Sequence, residues 1–253
     1  MKYFLIISFT ALLLWGCGSS IETVNLSAKE KLEYARHLYN DEDYLEAVNE
    51  LQAIILQYPG NEVIDDAQYL LGMTRFKRGE YILAAYEFSK LVKNMPASEF
   101  VPDAQFMLAD SYFQLSPDYE LDQKYTKKAI DEFQAFIDFF PTHTKVPEAE
   151  QKLKILNDKL AHKTYHDAYI YEKLDYYTAA LIYYNDVLET YHDTKYAPMA
   201  MYNKIQILLD RNRNREAREE IAKFLERYPD NSNVDELKKI QSSLENKLSA
   251  SKE

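Results

Sequence analysis

The 253-residue sequence contains one cysteine, one tryptophan and five glycines. A single cysteine excludes an intramolecular disulfide and any metal site built from several cysteines. The few glycines form no phosphate-binding loop, and neither a G-x-S-x-G nor an H-E-x-x-H motif is present. We therefore expect no enzyme activity and no cofactor.

Positive charge is also scarce, since 30 Lys and Arg oppose 41 Asp and Glu and give a formal net charge of −11. A nucleic-acid-binding protein would present a basic face, so we expect no nucleic-acid partner. The only dense positive cluster contains Arg211, Arg213 and Arg215. Two interpretations stay open for it: a solvated turn, or a docking point for an acidic partner.

Leu, Ala, Glu and Lys recur throughout, together with 22 tyrosines and 12 phenylalanines. This composition is typical of an ordered all-α protein with aromatic side chains packed between helices.

The N-terminus has the layout of a secretory signal, with Lys2 followed by the uncharged, mostly apolar run 3–15. That run is short for a transmembrane helix, which needs about 20 residues. The sequence "LWGC", residues 14–17, resembles the bacterial lipobox, which implies cleavage after residue 16 and lipidation of Cys17. An uncleaved signal anchor, or a buried helix with an incidental cysteine, is the alternative. Residues 17–26 would then form a lipidated tether, and Gly18 after the cysteine implies the outer membrane.

The rest of the chain repeats itself with a period near 37 residues. One ending occurs five times: Tyr58-Pro59, Met95-Pro96, Phe140-Pro141, Tyr191-His192 and Tyr228-Pro229. Twelve residues before the second member of each pair stands an alanine: Ala47, Ala84, Ala129, Ala180 and Ala217. Bulky apolar residues follow these alanines at helical spacing, and a second amphipathic helix precedes each segment.

This helix-turn-helix unit resembles the tetratricopeptide repeat, whose standard length is 34 residues. Such units bury their apolar faces only by stacking, so we predict a solenoid of five repeats. The apolar stripe of the last helix is typical of a terminal cap: Val234, Leu237, Ile240, Leu244 and Leu248.

The period is interrupted twice. An eight-residue insertion separates the two helices of the third repeat, and residues 147–174 contain no internal turn signal. We predict a single helix of about 28 residues and ~42 Å there, which must project from the solenoid or join its halves. A hinge at this helix would separate repeats one to three (27–146) from repeats four and five with the cap (147–253).

The lipobox, the five repeats and the segments "LDQKYTKKAIDEFQAFIDFFP" and "KLKILNDKLAHKTYHDAYIYEKL" together resemble the BamD family of outer-membrane β-barrel assembly lipoproteins. This resemblance implies a non-catalytic scaffold on the periplasmic face of the outer membrane. It would bind unfolded outer-membrane proteins, the barrel-forming partner BamA and other lipoproteins of the complex. The alternative is a tetratricopeptide lipoprotein that serves cell-wall synthesis or envelope maintenance.

In the tetratricopeptide family the first helix of each repeat lines the concave groove where peptides bind. Transferred to this sequence, those positions are Arg36, Tyr39, Tyr69, Met73, Phe76, Phe106, Asp110 and Phe113. Packing against the neighbouring repeat is the alternative for each of them. His162 and His166 share a helical face, but no further ligand completes a metal site, and we expect both to be solvated.

Overall fold

The structure, a computed structural model, describes residues 26–250. The lipobox with Cys17 and almost all of the tether lie outside the described residues, and the side chains of residues 247–250 are not considered. Residues 26–250 contain eleven helices and no strand. In chain order the helices are α1 (Ala28–Asn40), α2 (Tyr44–Gln57), α3 (Ile64–Lys77), α4 (Tyr81–Asn94), α5 (Val101–Gln114), α6 (Lys124–Phe139), α7 (Val146–Lys173), α8 (Tyr177–Thr190), α9 (Tyr196–Asp210), α10 (Asn214–Arg227) and α11 (Val234–Ala250).

Consecutive helices pair into five repeats, from α1/α2 to α9/α10. Each helix packs against the next one along the chain, and the first helix of each repeat also contacts the first helix of the following repeat. The five register alanines are fully buried on the second helices, where the small side chain allows close helix packing: Ala47, Ala84, Ala129, Ala180 and Ala217. The fold is therefore the predicted all-α tetratricopeptide solenoid.

The turn within a repeat has the same geometry in four of the five repeats. One residue adopts a left-handed backbone conformation at the equivalent position each time, with φ of 66°, 74°, 61° and 57° at Glu42, Gly79, Asp175 and Asn212. The N–H of the next residue donates to the carbonyl five residues back, as from Asp43 to Leu38. This Schellman-type ending closes the first helix and aims the chain into the second one.

The third repeat replaces that turn with the loop 115–123, which holds the predicted insertion. The Gln123 side chain, 5% exposed, folds the loop on itself. Its Nε2 donates to the carbonyls of Asp118 (2.7 Å) and Leu121 (2.9 Å), and its Oε1 accepts from the Thr126 hydroxyl. In this loop the buried Gln123 side chain therefore makes hydrogen bonds to backbone carbonyls. In the four shorter turns, a backbone N–H makes the equivalent bond.

Helix α7 has 28 residues, as predicted, and contributes to two parts of the core. Ala149 and Leu156, in its first half, belong to the apolar cluster formed with α4, α5 and α6. Ala168, near its end, belongs to the cluster formed with α8 and α9. A helix of this length is expected either to project from the solenoid or to join its two halves. Because α7 contributes to both clusters, it joins them. The hinge and the boundary at residue 147 stay predictions.

The last helix closes the solenoid. Val234, Leu237 and Leu244 of α11 are buried against the apolar cluster of α9 and α10, which includes Ile221 and Phe224. Charged residues such as Lys238 and Glu245 are exposed. This one-sided burial is what a terminal repeat cap requires.

Candidate binding surfaces

The predicted groove residues divide into two groups by burial. Phe106 and Asp110, on α5, are only 3% and 7% exposed, so they offer little surface to a peptide. The other six are half-buried and retain contact with solvent: Arg36, Tyr39, Tyr69, Met73, Phe76 and Phe113. Four of these six pack against one apolar cluster that runs through repeats two and three: Tyr69, Met73, Phe76 and Phe113.

Among the aromatic side chains of this surface, Tyr69 is held in place by two neighbouring rings. Its ring stacks on Phe100, with centroids 4.9 Å apart and planes 14° apart, and it is tilted by 56° relative to the ring of Phe88, at 5.9 Å between centroids. Burial, the Asp103 carboxylate and the nearby Tyr39 together raise the pKa of Tyr69 to about 12. The hydroxyl therefore stays protonated at neutral pH, where it can donate a hydrogen bond to a bound chain.

Asp110 is occupied by a partner from the long helix. The Lys152 Nζ on α7 lies 2.6 Å from its carboxylate and 3.1 Å from Glu148. The same ammonium lies 5.2 Å and 5.3 Å from the ring centroids of Phe113 and Phe106, in cation–π geometry. Lys152 therefore joins α5 to α7 and covers part of the predicted groove at repeat three.

Polar contacts of this kind connect successive first helices. Arg36 on α1 is paired with Asp66 at the start of α3, and Asp103 on α5 lies 2.8 Å from the Lys145 Nζ before α7. Sequence reasoning selected Arg36 but missed Lys145 and Lys152. The partners of these two lysines stand 42 residues away, and no local pattern indicates such a pair.

The two histidines of α7 are half-buried rather than fully solvated, because aromatic side chains pack against them. The ring of His162 lies between Tyr119 of the inserted loop, at 3.8 Å, and Tyr196 of α9, at 4.8 Å and nearly parallel. His166 contacts the Tyr119 ring edge-on at 5.5 Å. Both rings are half-buried because the loop of repeat three folds over this part of α7. Residues 26–250 contain no group of three or more side chains placed to hold a metal ion.

The three arginines of repeat five are exposed, but two of them have acidic partners on α10. The Arg213 guanidinium donates two hydrogen bonds to the Glu216 carboxylate, at 2.7 and 2.6 Å. The Arg215 Nε lies 3.4 Å from the carboxylate of Glu219. The Arg211 guanidinium instead lies over the ring of Tyr177 at the start of α8, 5.2 Å from its centroid.

Every helix between residues 26 and 250 is either too short or too polar to span a bilayer.

Comparison with known proteins shows the family to which this chain belongs. The family model named YfiO, described as "Outer membrane lipoprotein", matches residues 25–211. The chain belongs to the YfiO family of outer-membrane lipoproteins. The matched segment begins just before α1 and ends at the turn of the fifth repeat, so it covers helices α1 to α9.

Several known proteins are similar to this YfiO-family chain. A curated protein of Rickettsia prowazekii (strain Madrid E), named outer membrane protein assembly factor BamD, is 25% identical over 197 residues, 77% of this chain and 78% of its own. Similar solved structures include a tetratricopeptide repeat protein from Parabacteroides merdae ATCC 43184 (15% identity, 86% of this chain, 72% of that one, TM-score 0.38). Another is a thermophilic tetratricopeptide protein of Thermus thermophilus (19% identity, 86% and 98%, TM-score 0.37).

Proposed function

We propose that this protein is a non-catalytic scaffold of outer-membrane β-barrel assembly, anchored by a lipid on Cys17 and facing the periplasm. Its N-terminal repeats would receive unfolded outer-membrane proteins. Its C-terminal repeats would hold the barrel-forming partner, a BamA-like protein, beside other lipoproteins of the complex. Membership of an outer-membrane lipoprotein family and the similarity to a protein named as an assembly factor support this proposal.

The observation that supports client binding best is the row of half-buried aromatic and methionine side chains on α3 and α5. Tyr69, Met73 and Phe76 follow one another at helical spacing on α3, and Phe113 extends the row on α5. Rings and thioethers of this kind bind an aromatic side chain well, because they offer apolar area with an adaptable shape. An extended segment that ends in an aromatic residue is the client that fits this surface.

A substitution in the middle of the row tests client binding. Met73→Lys places an ammonium among the rings, and the variant should bind a fluorescein-labelled peptide with a C-terminal Phe about tenfold more weakly. The matched control is Met199→Lys, which changes an exposed methionine on α9, a first helix of the C-terminal half. Equal affinity of the two variants, or equal affinity for a peptide whose final Phe is replaced by Ser, would contradict the proposal.

The anchor is tested separately because Cys17 lies outside the described residues. We expect Cys17→Ser to move the full-length protein from the membrane fraction to the soluble periplasmic fraction and to abolish labelling with a palmitate analogue. If the variant still incorporates the label, Cys17 is not the lipidation site.

Affinity purification after crosslinking in cells distinguishes the alternative, a scaffold for cell-wall synthesis or maintenance. The assembly proposal requires a barrel-forming protein among the products. Recovery of peptidoglycan enzymes without any such protein would overturn it.

A further inference from the structure

Exposed apolar side chains are concentrated around the turn within repeat four, between α7 and α8. Between residues 169 and 182 five large hydrophobic side chains are at least 40% exposed: Tyr169, Ile170, Leu174, Tyr176 and Ile182. Single exposed hydrophobic residues are common on protein surfaces and need no explanation, whereas a group of them indicates a contact with another molecule.

Two of these side chains lie beside the arginines of repeat five. Tyr176 and Ile182, each 63% exposed, line one depression of about 570 Å³ together with Arg211 and Arg213. Leu174, 57% exposed, immediately precedes Asp175, which also lines this depression. We name Leu174, Tyr176, Ile182, Arg211 and Arg213 the repeat 4–5 turn surface. Asp175 and Asn212 have left-handed backbone conformations at equivalent positions in the turns of repeats four and five, and they set the path of the chain at this surface.

Positive charge on this surface is not fully neutralised within the described chain. Arg213 is matched by Glu216, whereas Arg211 has no ion pair with a carboxylate among residues 26–250 and rests on the Tyr177 ring. The Asp175 carboxylate accepts a hydrogen bond from the Tyr177 hydroxyl at 2.6 Å, which fixes that ring below the guanidinium. Arg211 is therefore presented in a fixed place, with its hydrogen-bond donors available to an incoming carboxylate.

We propose that the repeat 4–5 turn surface binds an acidic segment of another protein in which Asp or Glu alternates with aliphatic or aromatic residues. Charge complementarity selects this occupant, because Arg211 requires a carboxylate and Leu174, Tyr176 and Ile182 require apolar side chains beside it. A basic segment would meet the cluster Arg211, Arg213 and Arg215, and a purely apolar one would leave Arg211 desolvated and unpaired. The inference rests on the proposed function in one respect, since it gives the C-terminal repeats the surface that holds the barrel-forming partner.

Site-specific photocrosslinking in the native cells tests this proposal with the full chain. Benzoylphenylalanine in place of Ile182 should form an adduct whose captured segment, sequenced by mass spectrometry, is acidic and apolar. Placed at Phe139 of α6, which is 76% exposed and lies outside this surface, the same probe supplies the background yield. Adding Arg211→Glu should lower the Ile182 adduct about tenfold. Arg227→Glu, which also removes an arginine from a tyrosine ring, should leave the yield unchanged.

Several outcomes would overturn the proposal: no adduct above the Phe139 background, an adduct insensitive to Arg211→Glu, a captured segment without acidic residues, or capture of a second copy of this chain. The proposed function fails independently. If the captured segment is acidic but no barrel-forming protein is recovered with the chain, the surface is confirmed and the assembly role is wrong. If a barrel protein co-purifies with the chain but the probe at Ile182 gives no adduct above background, the assembly role stands and this surface is wrong.

Discussion

Gly72 on α3 lies against the ring of Phe88 on α4, so close that a β-carbon at position 72 would stand 2.6 Å from the Cε1 of Phe88. Phe88 is fully buried and cannot move aside without disturbing the core of repeat two. The missing side chain thus lets the two helices approach directly beneath the surface where we place the client.

Gly72→Ala should lower the free energy of unfolding even though alanine is the better helix former. Higher helix propensity contributes about 1 kcal/mol in its favour, whereas overpacking a closed core costs about 1–3 kcal/mol. We expect a net loss, measured by urea denaturation. In a Phe88→Leu background, where the ring is gone, the same alanine should be neutral or stabilising. An equal loss in both backgrounds would exclude the ring contact as the cause.

Asp110→Asn tests the contact between α5 and α7. The substitution removes the charge that compensates Lys152, whose side chain is 16% exposed. Breaking a buried ion pair costs about 3–5 kcal/mol, and Glu148 should reduce the loss here to about 2 kcal/mol. Asp131→Asn on the exposed face of α6 is the control, with an expected change within about 0.5 kcal/mol. Thermal unfolding of both variants measures the difference, and a loss no larger than that of the control would mean that the pair contributes little.

Gly79→Ala tests the left-handed turn of repeat two. No atom lies within 4 Å of the position that a β-carbon would take there, so the cost is confined to the backbone, where φ is 74°. We expect about 1 kcal/mol of destabilisation in chemical denaturation. Gly79→Asn should cost less, since asparagine adopts this conformation more readily and occupies the equivalent position as Asn212. If alanine and asparagine cost the same, the backbone explanation is wrong.

His162 should make stability depend on pH. Burial, together with His166 and Lys195, lowers the pKa of His162, and Glu120 opposes this in part. Because the folded pKa lies below the unfolded value of about 6.5, the unfolded chain binds the proton more readily. The contribution of the neutral ring is complete above that value and is lost as the pH falls through the folded pKa.

Urea denaturation between pH 8 and pH 5 should show this loss in the wild type and a flatter profile in His162→Gln. Tyr196→Phe retains the stacked ring, so its profile should keep the wild-type slope. A slope unchanged by His162→Gln would mean that other groups cause the pH dependence.

Features encoded by neighbouring residues could be predicted. The alanine register, the proline endings and the absence of a turn signal from residue 147 to 174 predicted the helix pairs and the length of α7, because helix formation and termination depend on residues a few positions apart. The pairing of Arg213 with Glu216 and of Arg215 with Glu219 also has helical spacing. It could have been predicted from that spacing.

Features that join distant segments could not be predicted in this way. Phe106 and Phe113 have the same residue type on the same helix, yet Phe106 is buried and Phe113 is half-buried. The difference depends on where α6 and α7 pack. His162 contacts a tyrosine 43 positions earlier, in the inserted loop, and another 34 positions later. No short-range pattern relates these rings.

By itself the sequence determined a helical repeat with its turns, its long seventh helix and its cap, since each depends on local backbone preference and one-sided apolar patterning. The tertiary structure alone decided which groove side chains remain accessible, that Lys152 covers Asp110, and that Arg211 rests on Tyr177 beside exposed apolar side chains. Stacking of the repeats brings residues tens of positions apart into contact, and burial and charge pairing are properties of those contacts.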